Sequence, residues 1–301
     1  MADFYANISD LLLTFLAKYD TYARAMTILQ SIILGLVEGL TEYLPISSTG
    51  HLIITQYLLG MKKSAALDAY SVCIQVGAIL AVLNLYFFRV GQMWQGVCGK
   101  NPVGLRLVRN LLLGFLPAVV IGLVLAKPIK AFLFNAETVL ITWALGGVAI
   151  LLFVRYQRSK GKGKGHQGTE LEDMSCKAAL TVGFMQCIAM CPGTSRSLMT
   201  MLGGLVAGLS MAAAVEFSFL LGLITLGAAT VYDFTKFGSI MVQEIGWGPM
   251  LVGTFVSWLS AIIAVKWMVS YLKKHGLSIF GWYRLAAALV MLVLILNGLE
   301  V

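Results

Sequence analysis

The chain has 301 residues, 59% of them hydrophobic and 12% charged, with a formal net charge of +8. A soluble domain carries roughly 25% charged residues, so this composition excludes a soluble globular domain and describes a polytopic membrane protein. The basic residues sit in short loops between apolar runs, which argues against nucleic-acid binding and for topology and anionic headgroups as the reason for the charge.

At about 20 residues per span, a chain of this length has room for roughly six to ten crossings. One integral membrane domain is expected, with a surface extension over 1–27, a membrane repeat over 28–154, a basic cytoplasmic loop over 155–177 and a second repeat over 178–301. Asp3, Asp10, Lys18, Asp20 and Arg24 interrupt the first thirty residues, so no cleavable signal is read there. Residues 4–16 suit an amphipathic helix lying on the membrane surface.

Residues 28–60 are apolar but broken by Pro45 and by Ser47-Ser48-Thr49-Gly50. A continuous span would bury two carboxylates and a helix breaker. A re-entrant helix–loop–helix fits better, because irregular backbone at membrane depth is tolerated where it lines a cavity. Spans follow at 69–88, at 108–126 with Pro117 as a kink, and at 138–154. A polar, low-complexity loop covers 155–173. Residues 178–209 then repeat the broken pattern, and spans at 213–232, 250–271 and 280–296 close the chain. Trp94, Trp247 and Trp282 fall near span edges, as interfacial anchors do. Cys73, Cys98, Cys176, Cys187 and Cys191 show no disulfide or zinc spacing and read as small buried hydrophobes.

The order is therefore re-entrant element, span, span, span, twice over. Gly35-x-x-Glu38 is echoed by Gly183-x-x-Gln186, Pro45-x-x-Ser48 by Pro192-x-x-Ser195, and Gln75 loosely by Glu216. Three spans per half invert the second half relative to the first, so the fold class is all-α with two inverted-topology repeats whose broken helices meet near the midplane. Fourteen basic residues, Arg284 among them, fall on the side reached after the first span and seven on the other. The positive-inside rule makes the first side cytoplasmic and puts both termini outside.

Chemistry is concentrated in the two broken elements. Glu38 and Glu42 are one helical turn apart, and two carboxylates there call for a divalent cation, Mg²⁺ or Ca²⁺. Ser47, Ser48 and Thr49 stand where a helix should begin, as an anion-binding N-terminus or as an ordinary N-cap. His51 lies one turn beyond Ser48, a spacing that suits a nucleophile and its base. Arg196 sits inside an apolar element and needs an anion, either a phosphate or one of Glu38, Glu42 and Glu216. Ser195, Ser197 and Thr200 surround it with hydroxyls. His166 and His275 read as solvated loop residues.

The ordered runs Glu38-Gly-Leu-Thr-Glu-Tyr-Leu-Pro-Ile-Ser-Ser-Thr-Gly-His51 and Pro192-Gly-Thr-Ser-Arg-Ser-x-x-Thr200 resemble the two signatures of the bacterial undecaprenyl-diphosphate phosphatase family of the bacitracin-resistance type. The resemblance extends from about residue 28 to the C-terminus. It implies hydrolysis of undecaprenyl diphosphate to the monophosphate and phosphate, recycling the lipid carrier of cell-wall synthesis, with divalent-metal dependence. It also implies a multi-pass protein of the bacterial inner membrane. Glu38, Glu42, Ser48, His51, Arg196 and the neighbouring hydroxyls would form the site, with serine and histidine both open as nucleophile. The site is expected to open to the outer face, where the diphosphate is generated after glycan transfer. The expected partners are undecaprenyl diphosphate and membrane lipid, with a homodimer open. The rival reading is a polyprenyl-phosphate flippase or secondary transporter, which would need no nucleophile beside a base.

Overall fold

The structure, a computed structural model, describes residues 26–160 and 168–298. The expected surface helix over 4–16 and His166 lie outside the described residues. Among the described residues the fold is all helical, with one isolated β-bridge between Thr169 and Leu209.

Helix α1 (Ile28–Thr41) starts at Thr27, whose hydroxyl accepts from the Gln30 amide while the Gln30 side chain returns to the Thr27 amide, a reciprocal capping box. A turn leads to α2 (Ser48–Leu58). Helices α3 (Ala65–Cys73) and α4 (Gln75–Leu85) together make the first span, interrupted at Ile74. Helix α5 (Phe87–Val97) runs off its end, followed by α6 (Pro102–Leu133) and α7 (Ala136–Ser159). A short 3₁₀ turn (Leu171–Asp173) precedes the second broken pair, α8 (Cys176–Ile188) and α9 (Arg196–Val206). Helices α10 (Met211–Glu244), α11 (Trp247–His275) and α12 (Ser278–Leu296) complete the chain. Among the described residues six segments are long and apolar enough to cross a membrane, and the broken pairs are not among them. The protein is a multi-pass membrane protein.

The expected spans are present but longer. The span expected at 213–232 extends to Glu244, and Pro117 and Pro128 both sit inside α6. Helix α5 was not anticipated, because Arg89, Gln92 and Gln95 break the apolar run. It holds to α6 by close backbone approach: Gly96 lies against the Leu105 amide and Gly104 against the Gln92 carbonyl. Arg89 on α5 joins two carboxylates, Glu172 at 2.6 Å and Glu216 at 2.5 Å. Glu216 is thereby accounted for as an ion-pair partner at the end of α10.

Each broken element packs against a span from the other half. On α1, Gly35 meets the Gly253 carbonyl of α11 and Gly39 meets the Ser257 carbonyl and the Ser260 hydroxyl. On α8, Gly183 meets the Gly114 carbonyl and Pro117 of α6. Small residues let helices approach closely where lipid gives no hydrophobic drive. Helices α7 and α12 close the bundle through Gly147 and Gly281.

Two expectations need correction. Arg284, counted among the basic residues of the cytoplasmic side, is completely buried on α12, and the charge excess survives its removal from the count. The cysteines are not uniformly buried, since Cys98 is exposed and only Cys73 is buried; all five are free thiols.

Candidate functional site

The two broken elements fold alike. After α1 the Glu42 amide still bonds the Glu38 carbonyl at 2.9 Å, so the two carboxylates stack along one turn. The chain then turns through 43–46, and Ser47 adopts φ 71° before α2 begins at Ser48. After α8 it turns through 189–194, and Ser195 adopts φ 75° before α9 begins at Arg196. These serines are the only non-glycine residues with positive φ among those described. Such strained positions cost free energy and cluster at functional sites. The interval from Gly35 to Ser47 equals that from Gly183 to Ser195, so Ser48 is the counterpart of Arg196 and Glu38 that of Gln186. The proline echo in the sequence is one residue out of this register: Ser48 does not match Ser195.

The tips meet. Arg196 Nη2 donates to Glu42 Oε1 at 2.9 Å, Nη1 donates to the Ser218 carbonyl at 3.1 Å, and the guanidinium lies 5.2 Å above the Tyr43 ring. Gly222 provides the room, since a Cβ there would sit 2.5 Å from Arg196 Nη1. The other oxygen of Glu42 accepts from Ser48 Oγ at 2.5 Å. One buried carboxylate therefore joins the first residue of α2 to the first residue of α9.

Ser48 and His51 do not form the expected hydrogen bond. His51 Nδ1 turns back to the Ser47 carbonyl at 2.7 Å and Nε2 meets the Tyr283 hydroxyl at 2.7 Å. The ring stacks on Tyr283 and packs on Trp143. A histidine one turn into a helix finds an acceptor in the carbonyl four residues back, and that bond rotates the ring away from Ser48.

Several hydroxyls are committed. Ser197 Oγ donates to the Leu44 carbonyl at 2.9 Å, tying one tip to the other, and lies 3.0 Å from Ser195 Oγ. Ser195 also accepts from the Leu198 amide. Thr200 is fully buried behind Arg196, 2.6 Å from Ser218 Oγ. Ser47 makes no side-chain capping bond. Thr49 is half-buried, on the first turn of α2.

Unfilled valences mark the centre. Both carboxylate oxygens of Glu38 and the Nε of Arg196 are buried without a partner, as are both polar atoms of Gln186. Buried groups of this kind call for a ligand, an ion or water. Among the described residues no cluster of three or more His, Cys, Asp or Glu side chains is present. A divalent cation still fits: Glu38 offers two free oxygens, Glu42 retains lone pairs beyond its two bonds, and Mg²⁺ is commonly held by one or two carboxylates plus substrate phosphates and water.

Arg284 escaped the sequence reading. Its guanidinium donates to the Thr142 carbonyl at 2.8 Å, the Gly193 carbonyl at 2.9 Å and the Pro45 carbonyl at 3.4 Å. It thus holds both tips to α7, and Gly146 leaves the space for it. A lone arginine at the start of an apolar helix looks like an interfacial charge in sequence; only the missing loop around it could have hinted otherwise.

The model of the family described as bacitracin resistance protein BacA matches residues 31–290. The chain belongs to this family. Curated relatives agree. The chain is 43% identical over 272 residues to undecaprenyl-diphosphatase 2 of Rhodospirillum rubrum, covering 90% of this chain and 96% of the relative. It is 44% identical over 263 residues to the undecaprenyl-diphosphatase of Ectopseudomonas mendocina, covering 87% and 92%. To that of Aquifex aeolicus it is 39% identical over 266 residues, covering 88% and 97%.

Proposed function

We propose that the BacA-family chain acts at the site where its two tips meet. It is an integral membrane phosphatase that hydrolyses undecaprenyl diphosphate to undecaprenyl phosphate and phosphate, returning the lipid carrier to cell-wall synthesis. The observation that carries the site assignment is the Glu42 bridge: one carboxylate bonded to both the Ser48 hydroxyl and the Arg196 guanidinium, beside the unfilled valences of Glu38 and Arg196.

In this reading Arg196 binds the terminal phosphate through its free Nε, and Ser47 and Thr49 add donors at the start of α2. Ser195 and Ser197 reach the phosphate only after rotating out of their mutual bond, and Thr200 supports Arg196 from behind. Ser48 Oγ attacks the terminal phosphorus while Glu42 accepts its proton. The bond from that phosphorus to the bridging oxygen breaks, and the lipid monophosphate leaves with the electron pair. The leaving monophosphate takes up the proton held by Glu42. Water then attacks the phosphoserine, giving its proton to Glu42, and as the bond from phosphorus to Ser48 Oγ breaks Glu42 passes that proton to the serine oxygen and phosphate departs. His51 holds the Ser47 carbonyl and so the strained start of α2; its direct attack on phosphorus is the competing route. A divalent cation, Mg²⁺ or Ca²⁺, held by Glu38 and Glu42 would neutralise phosphate oxygens. Phosphoryl transfer depends chiefly on positioning and electrostatics, which a preorganised buried site supplies.

We place the protein in the bacterial inner membrane, with two inverted halves, termini outside the cytoplasm and the site opening outward. The recurring order of elements, the matched Ser47 and Ser195 conformations and the exchange of packing partners between halves support the inverted repeat. The test of the function is phosphate release by the purified protein in detergent from a long-chain polyprenyl diphosphate.

A further inference from the structure

A groove of about 380 Å³ opens beside the site, between α1, the first tip, α11 and α12. That volume lies within the roughly 300–1,000 Å³ of small-ligand sites. Its floor is closed: Thr41, Ile46, Ala264 and Phe280 are all buried. Its mouth is open: Ile263 is 66% exposed and Trp267 48%. The one hydroxyl on the floor, that of Thr41, is spent on the Val37 carbonyl at 2.7 Å. The groove therefore offers hydrocarbon and aromatic surface and almost no hydrogen bonding.

Its position ties it to the site. Thr41 immediately precedes Glu42, and Ile46 immediately precedes Ser47. Tyr283 forms one wall and places its hydroxyl 2.7 Å from His51 Nε2. A molecule whose headgroup sits between Arg196 and Ser48 needs an apolar path outward, and the groove begins at the residues flanking those groups. The open mouth is apolar in a protein whose surroundings are lipid.

We propose that this groove seats the first isoprenoid units of the substrate, with Ala264 and Phe280 as the floor that sets chain discrimination and Tyr283 linking the groove to the site. The occupant is the substrate's own chain, not an acyl chain of a bystander lipid. The aromatic faces of Trp267, Phe280 and Tyr283 suit methyl-branched, unsaturated hydrocarbon. The inference rests on the phosphatase reading of the adjoining site.

The test is a chain-length series in detergent with Mg²⁺: isopentenyl, geranyl and farnesyl diphosphates and a long polyprenyl diphosphate. Wild-type kcat/KM should climb along the series, and Ala264→Phe, which fills the floor, should flatten the climb by about tenfold or more, the scale on which hydrophobic pockets discriminate. An unchanged slope in a folded Ala264→Phe protein overturns the groove assignment and leaves the phosphatase reading standing. Wild-type protein that releases no phosphate from any member defeats both. If Ala264→Phe fails to fold, a polyprenyl diphosphate with a photoreactive group on its first isoprene unit decides the matter. Labelling of residues 263–283 that the unlabelled substrate competes away supports the groove. Labelling elsewhere, or labelling that bulk phospholipid competes away equally well, overturns it.

Discussion

Glu42 and Arg196 stand 154 residues apart in sequence and 2.9 Å apart in the fold, both largely buried. The pair joins two broken helices that would otherwise each present an isolated buried charge. Removing one partner of a buried pair costs about 3–5 kcal/mol, because the other is left unpaired. Arg196→Met should therefore destabilise the protein by about that amount in detergent denaturation and lower phosphate release by at least about 10²-fold. Glu42→Gln combined with Arg196→Met should recover part of the stability and none of the activity. Near-normal activity in Arg196→Met would remove arginine from the phosphate site.

Gly222→Ala separates position from charge. The new Cβ would press on the Arg196 guanidinium, the mobile end of a long side chain, so the fold should yield at small cost. A helix gains about 1 kcal/mol from glycine to alanine, which offsets part of the crowding. Thermal stability should stay close to wild type while turnover falls on the order of 10²-fold, as expected for an ångström-scale misplacement. Full activity would show that Arg196 need not be fixed.

Ser48→Ala should lose at least about 10³-fold in turnover, the range for a missing nucleophile. His51→Gln should lose far less, since the imidazole bonds Ser47 and Tyr283 rather than Ser48. Rapid quench followed by phosphopeptide mapping should find phosphate on Ser48. Phosphate trapped on His51, with substantial activity left in Ser48→Ala, would reverse the assignment.

Arg284→Met leaves the buried Pro45 and Gly193 carbonyls of the two tips without their donor and takes from the Thr142 carbonyl of α7 its bond to the guanidinium. At about 1–3 kcal/mol per unsatisfied group, a loss of about 2 kcal/mol or more is expected, read as a lower Tm in detergent. Arg284→Lys should rescue only part of it, because an ammonium lacks the planar fork. An unchanged Tm would mean that the tips hold together without it.

Much of this was readable in advance, and particular residues show why. Pro45 and Pro192, each beside a run of hydroxyl residues, marked broken helices, because neither feature suits a continuous span. Glu38 and Glu42 declared their shared turn by spacing alone. Arg196 declared its need for an anion. Spacing could not show where each hydrogen bond would go. Ser48 and His51 lie one turn apart, yet the Ser47 carbonyl captures the imidazole and Glu42 captures the hydroxyl. Nor could pattern place Arg284, whose partners are backbone carbonyls from three distant segments and carry no sequence signature. Matching Pro45 to Pro192 puts the register between halves one residue out, whereas the fold matches the strained serines at 47 and 195.

The most direct test of the account is phosphate release by the purified protein in detergent, given undecaprenyl diphosphate and Mg²⁺, then EDTA, then metal restored. The account predicts release of one phosphate per lipid, arrest by chelation, recovery on adding Mg²⁺ or Ca²⁺, and no release from Ser48→Ala. A protein that releases no phosphate in detergent but moves the lipid headgroup across vesicle membranes would contradict it and would be a transporter. Release unaffected by EDTA would contradict the metal held by Glu38 and Glu42.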